Sequence, residues 1–290
     1  MEIETFEKKS AENIIIPDEK NLEKLKKIFL AQGKEKIQVL SDFDKTLTQY
    51  FFAGKKAPSL IEQIRKGKYL TPDYAEKAYA LFDTYSPYER DLKFSRDERT
   101  KKMQEWWTLH FELMIQCGLD KQVLDDIAKK KEIVFRPDVL ELIDFLHDNN
   151  IPLVIMSAGP GDMISRHFKQ EGRLYSNVHI IANFFEFDEK GKVARIKEPI
   201  IHSLNKYEIM LQNFPAFNKI KERKNVILLG DGVDDIGMVE GFDYDNLLKI
   251  GFLNANEDEL RPSFQENFDV IVQNDSDFNY VSSLIKGIVK

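Results

Sequence analysis

At 290 residues the chain has room for one large domain or for a core carrying an inserted lobe. Its 42% hydrophobic and 31% charged residues describe a globular chain with a full core, neither disordered nor membrane-embedded. A net charge of −7 argues against non-specific binding to nucleic acid or anionic membranes, no apolar run approaches the ~18 residues of a membrane span, and the single cysteine, Cys117, excludes an intramolecular disulfide.

The acidic start, Met1 to Glu7, is neither a secretory signal nor an Arg-rich transit peptide, so a cytoplasmic protein is expected. Apolar residues at Leu22, Leu25, Ile28 and Phe29 recur at helical spacing between Pro17 and Gln32, and Gly33 stands where that helix should stop. Ile37 to Ser41 then reads as a short buried strand that runs straight into Asp42-Phe43-Asp44-Lys45-Thr46-Leu47-Thr48. From about residue 51 to 134 the pattern turns helical, with stretches at Thr71 to Leu81 and Asp97 to Ile115 and no convincing buried strand. Beyond Arg136 helices and strands alternate. The helices are Asp138 to Asp148, Asp162 to about Glu171, one from Lys206, and Phe278 to Ile288. The strands are Pro152 to Met156, Val178 to Ala182, Asn225 to Leu229, Leu248 to Phe252 and Val270 to Val272. Apolar strands alternating with amphipathic helices predict an α/β fold with a doubly wound, mostly parallel sheet. The ~85 residues after the first strand are too many for a loop. The expected organisation is a core of residues 1–50 and 135–290 with a helical cap of 51–134.

Three predicted strands end in polar residues of one kind. Asp42 and Asp44 follow the first, Ser157-Ala158-Gly159 the strand ending at Met156, and Gly230-Asp231-Gly232-Val233-Asp234-Asp235 the strand ending at Leu229. Ligands gather at the carboxyl ends of strands in parallel α/β sheets. Carboxylates converging there repel one another unless a cation joins them, and all-oxygen ligands favour Mg²⁺. An anionic ester would further need hydrogen-bond donors, which Ser157 and nearby amides supply, and a cation, which Lys206 supplies. Alone, Lys206 would read as a solvated surface lysine.

In order and spacing, Asp42 to Thr48, Ser157, Lys206 and Gly230 to Asp235 resemble the four motifs of the haloacid dehalogenase superfamily. Met156 to Asp162, Ile201 to Lys206, Leu228 to Gly232 and Leu248 to Asn254 narrow the likeness to the cytosolic pyrimidine 5'-nucleotidases. So do Asn149 to Leu153, Tyr85 to Asp91 and Glu105 to Thr108, and the resemblance spans residues 18 to 290. It implies a Rossmann-like phosphatase core and a Mg²⁺-dependent 5'-nucleotidase acting on nucleoside 5'-monophosphates such as CMP, UMP or 7-methyl-GMP. Asp42 would be the nucleophile, forming an aspartyl-phosphate, and Asp44 the general acid and base. Asp42, the Asp44 carbonyl, Asp231 and Asp235 would hold the metal. Asp234 stands where relatives have glycine, and Asp235 is favoured over it as ligand. Ser157, Ala158, Gly159, Lys206 and Thr46 would form the phosphate-binding group, Thr46 while steadying the nucleophile loop. In the cap, Glu89, Trp106 and His110 are the base-contacting candidates. Adjacent tryptophans on a helix point about 100° apart, so Trp106 is expected in the pocket and Trp107 in packing. A nucleoside could also intercept the intermediate, giving phosphotransferase activity. The rival readings are a phosphatase for another small metabolite such as phosphoserine and, more remotely, a non-catalytic phosphate-binding module. With no exposed apolar repeat, a monomer with no membrane or nucleic-acid polymer partner is expected.

Overall fold

The computed structural model describes residues 13–91, 93–206, 217–241 and 243–289. The acidic start and the body of the helix expected from Lys206 lie outside these residues. In chain order the core begins with β1 (Ile14–Ile15), α1 (Glu19–Gln32) and β2 (Ile37–Ser41). The Asp18 side chain accepts from the Asn21 N–H to start α1, and Gly33, at φ 80°, stops it as expected; that backbone angle suits glycine.

The chain then enters an insert made of β3 (Phe51–Phe52), β4 (Lys55–Lys56), α2 (Leu60–Lys66), α3 (Tyr74–Arg90), α4 (Arg96–Gln116) and α5 (Lys121–Lys129). An antiparallel bridge between Thr48 and Phe135 ties its exit and re-entry points together. The rest of the core follows as α6 (Val139–Asp148), β5 (Leu153–Pro160), α7 (Gly161–Gln170), β6 (Val178–Asn183), β7 (Phe185–Phe187), β8 (Val193–Ile196), α8 (Phe217–Ile220) and β9 (Asn225–Gly230). A 3₁₀ stretch Val233–Gly241, β10 (Asn246–Leu253), α9 (Glu257–Asn267), β11 (Val270–Gln273) and α10 (Asn279–Ile288) complete it.

Seven strands form one sheet in the order β1-β11-β10-β9-β2-β5-β6, with β7 and β8 a separate hairpin. β1 pairs antiparallel to β11; the pairings of β10, β9, β2, β5 and β6 are parallel. β2 and β9 are buried along their whole length, as strands covered by helices on both faces must be. The mostly parallel, doubly wound sheet read from the sequence is therefore present. β2 lies between β9 and β5, so the winding reverses beside it. Such a switch point opens a crevice outside the carboxyl ends of the strands, and Asp42 and Asp231 stand at its two lips.

Candidate active site

Asp42 follows β2 without a break, and its N–H donates to the Leu229 carbonyl of β9 at 3.0 Å. The sheet itself thus fixes the start of the loop. At the end of β9, Asp235 Oδ2 accepts the N–H groups of Asp231 (3.1 Å) and Gly232 (3.2 Å). This fold-back needs glycine at 230, where a Cβ would sit 2.6 Å from that of Asp235. Asp42, Asp231 and Asp235 each offer an oxygen within 4.8 Å of the others. Asp234 is exposed and outside this cluster. The donor set is hard, anionic and all-oxygen, which fits a divalent cation of that preference; one lysine cannot balance three carboxylates.

That lysine is Lys206, buried with Nζ 2.5 Å from Asp42 Oδ1 and 2.8 Å from Asp235 Oδ1. Burial alone would lower its pKa, but Asp235 and Asp42 hold it well above the usual lysine range. Burial pushes Asp42 up to about 6 against the pull of Lys206, so it is ionised at neutral pH. Burial, then Asp235 and Asp42, raise Asp231. Asp44 is raised to about 7 by burial and then by Asp42, the range suited to proton transfer in both directions near neutrality. Its two oxygens lie 3.2 and 3.4 Å from the N–H of Leu60, the first residue of α2. The insert thereby orients the Asp44 carboxyl. That helix start is itself capped by Ser59 and Glu62, each side chain bonding the other's backbone N–H.

On the other side of Asp42 lies the end of β5 after Met156, where its register against β6 shifts. Ser157 Oγ accepts the Gly159 N–H at 3.0 Å, which leaves its own hydroxyl hydrogen free to donate. The Gly159 amide, expected to face phosphate, is therefore engaged in positioning Ser157. Asn183, fully buried at the end of β6, was not singled out from the sequence. Its amide donates to the carbonyls of Ala158 (2.7 Å) and Ile201 (2.8 Å), and its oxygen accepts the Ile201 N–H. One side chain thus ties the Ser157 turn to the segment carrying Lys206. Its only sequence signal was an amide closing an apolar strand.

A cavity of about 840 Å³ rises from this floor into the insert, a size suited to a small ligand. Asp42, Asp44, Ser157, Ala158, Gly159, Lys206 and Asp231 line its base; Glu89, Trp106 and His110 line its upper wall. Thr46 corrects the expectation: it is completely buried and absent from the lining, with Arg136 Nε bonding its carbonyl at 2.8 Å. It lies beneath the loop, out of reach of phosphate. The tryptophans are a second correction, because both line the cavity. The opening wraps the edge of α4, so two directions about 100° apart both reach it. Trp106 is 8% exposed, stacked on Tyr85 and edge-on to Phe82; Trp107 is half-buried. His110 is bonded to the Tyr74 hydroxyl at 3.1 Å, and burial, then the Arg65 charge, lower its pKa to about 3. It is neutral. Glu89 accepts from Ser203 Oγ at 2.9 Å, joining insert to core.

A doubly wound sheet with this aspartate pair, serine turn, buried lysine and acidic cluster has the haloacid dehalogenase type of phosphatase architecture. The model of the pyrimidine 5'-nucleotidase (UMPH-1) family matches residues 45–289, and the chain belongs to that family, whose members are phosphoric monoester hydrolases. The 7-methylguanosine phosphate-specific 5'-nucleotidase of Gallus gallus is 32% identical over 259 residues, 89% of this chain and 90% of the relative. That of Homo sapiens is 32% identical over 89% of this chain and 86% of its own length. A crystal structure of cytosolic 5'-nucleotidase IIIB bound to cytidine superposes with a TM-score of 0.87 at 26% identity, covering 95% of this chain and 93% of the other. A phosphoserine phosphatase with bound substrate, 16% identical with a TM-score of 0.51 over 85% of this chain and 96% of the other, shares the fold alone.

Proposed function

We propose that the chain hydrolyses nucleoside 5'-monophosphates, pyrimidine nucleotides first and 7-methyl-GMP second, with residues 51–134 as the cap that selects the base. The observation that carries this reading is one cavity with a phosphate-type floor and an aromatic upper wall. A flat ring can stack there, worth about 1–3 kcal/mol per base; a phosphoserine has none. The aromatic wall also suits a cationic methylated base, as do the names of the relatives.

Asp42 is the nucleophile. It attacks phosphorus in line with the ribose oxygen, and Asp44 gives that oxygen a proton as the P–O bond breaks. The aspartyl-phosphate is then hydrolysed by water that passes its proton to Asp44. Lys206 and the Ser157 hydroxyl bind the equatorial oxygens, where charge concentrates in the transition state. Asp42, the Asp44 carbonyl, Asp231 and Asp235 would hold Mg²⁺, which supplies positive charge between nucleophile and phosphate. Trp106, Trp107 and His110 form the wall against which the base packs, and Glu89 offers a carboxylate to a base amino group. The reducing-compartment composition fits a cytosolic protein acting on free nucleotides.

The test is phosphate release from CMP, UMP, dTMP, AMP, GMP and 7-methyl-GMP with Mg²⁺ or EDTA. Hydrolysis of pyrimidine or 7-methyl nucleotides that EDTA abolishes is expected, as is a loss in Asp42→Asn of at least about 10³-fold. Preferred turnover of AMP, or an active Asp42→Asn protein, would sink the reading.

A further inference from the structure

Arg65 sits on α2 and lines the same cavity, yet it has no part in the chemistry above. It is 4% exposed. Its Nε is buried with no hydrogen-bond partner among the described residues, and its one ion pair is loose, 3.8 Å to Glu62 Oε1. Glu62 is in any case committed elsewhere, accepting the Ser59 N–H and pairing with Lys66 at 3.3 Å. The guanidinium is held in place by rings, 4.6 Å from the Phe82 centroid and 5.4 Å from that of Tyr79. Phe82 in turn meets Trp106 edge-on. Arg65 therefore belongs to the aromatic wall rather than to the phosphate floor.

Leu60 contacts Asp44 at the floor, and Arg65, also lining the cavity, lies five residues further along α2, a rise of about 7.5 Å. The unpaired groups in this wall also share one character. The indole Nε1 atoms of Trp106 and Trp107 are, like Arg65 Nε, buried without a partner among the described residues. All three are donors, and Glu89 on the same wall has one oxygen bonded to Ser203. Buried donors without acceptors are costly unless a ligand supplies them. A ring edge with carbonyl oxygens supplies them, and uracil carries two where 7-methylguanine carries one; a ring with positive charge also meets the guanidinium charge at low dielectric.

We infer that Arg65 is a specificity-determining residue that donates to a carbonyl oxygen of a neutral nucleobase and disfavours a cationic one. This rests on the nucleotidase reading and ranks its substrates: a neutral pyrimidine with two carbonyls, such as uracil, above the cationic 7-methylguanine with one. A guanidinium-to-carbonyl bond in this setting is a charge-assisted one, enough for a change of about tenfold or more.

The experiment compares the parent protein with Arg65→Met and Arg65→Lys in Mg²⁺, using UMP, 7-methyl-GMP and p-nitrophenyl phosphate. Ratios of kcat/KM are taken within each protein, so the folded fraction cancels. Arg65→Met is expected to lose at least about tenfold more on UMP than on p-nitrophenyl phosphate, mainly in KM, and to narrow the preference for UMP over 7-methyl-GMP about tenfold. Arg65→Lys, which keeps the charge but not the planar fork, is expected to bind UMP weakly while still disfavouring 7-methyl-GMP. Equal losses on all three substrates, or an unchanged UMP to 7-methyl-GMP ratio, would overturn the inference alone. A parent protein that cleaves p-nitrophenyl phosphate but no nucleotide would overturn the nucleotidase reading, and this inference with it.

Discussion

Lys206 Nζ bridges Asp42 and Asp235 within the buried floor, so removing its charge acts twice. In the proposed mechanism the phosphoryl oxygens would lose their cation, and two carboxylates would be left facing each other. Lys206→Met is expected to lower kcat about 10²- to 10³-fold, the scale of losing one preorganised charge partner. Lys206→Arg should not restore it, because a planar fork cannot occupy the space of a point charge held between two acceptors. Steady-state kinetics decide this, and a loss under tenfold would remove Lys206 from the chemistry. Its sequence signature was weak, since a lysine after a predicted loop is ordinarily a solvated one. It became legible only in the company of Asp42, Ser157 and Asp231, whose strand ends converge. Arg65 had no such company, because its neighbours Tyr79 and Phe82 come from another helix. Asn183 was hidden likewise, its partners lying 18 and 25 residues away in sequence.

At the scale of elements, the loop between β2 and the insert depends on a clamp that no local pattern announces. Lys45 adopts a left-handed backbone at φ 65°, and the turn it makes directs carbonyls inward. Arg136, fully buried, receives them: it donates to the carbonyls of Thr46 (2.8 Å), Lys45 (2.5 Å) and Ser276 (3.0 Å) and to Asn254 Oδ1 (2.6 Å). It also pairs with Asp275 at 2.8 Å, whose carboxylate accepts the N–H groups of Tyr50 and Phe51 at the entry to the insert. Arg136→Met would leave Asp275 and several carbonyls buried without their partner. A loss of about 3–5 kcal/mol in urea unfolding is expected; less than 1 kcal/mol would show that the clamp does not support the loop. The buried parallel strands were readable because they are short apolar runs bounded by turns. β1, two residues long, and the β7–β8 hairpin, with Glu186 and Arg195 paired across it, were not, for strands of two to four residues are too short to stand out. α3 was expected to end near Leu81 but continues to Arg90 through Pro87. There the packing of Phe82 and Tyr85 on Trp106 outweighs the local cost of proline.

For the molecule as a whole, the acidic floor makes folding, protons and metal interdependent. Burial raises Asp42 to about 6, Asp44 to about 7 and Asp231 to about 8, whereas the unfolded chain holds such groups near 4. Between about pH 4 and 8 the metal-free folded protein therefore binds more protons than the unfolded one, and these groups contribute stability that is lost as pH rises. Buried His110, His167 and His202 act with the opposite sign. Burial lowers them to about 3, 4 and 4, so their contribution is present above about pH 6.5 and is lost on acidification. A divalent cation competes with protons for the carboxylates but has no hold on the histidines. Mg²⁺ should accordingly raise the unfolding temperature more at pH 8 than at pH 5.5. In EDTA the two opposed contributions partly cancel, flattening the dependence on pH; with saturating Mg²⁺ the histidines remain, and stability should fall as the pH drops below 6.5. Thermal unfolding at the two pH values, with Mg²⁺ or EDTA, measures both differences. A Mg²⁺-induced gain as large at pH 5.5 as at pH 8 would mean that the cation does not bind where Asp42, Asp231 and Asp235 converge, since binding there must displace the protons that burial keeps on Asp42 and Asp231.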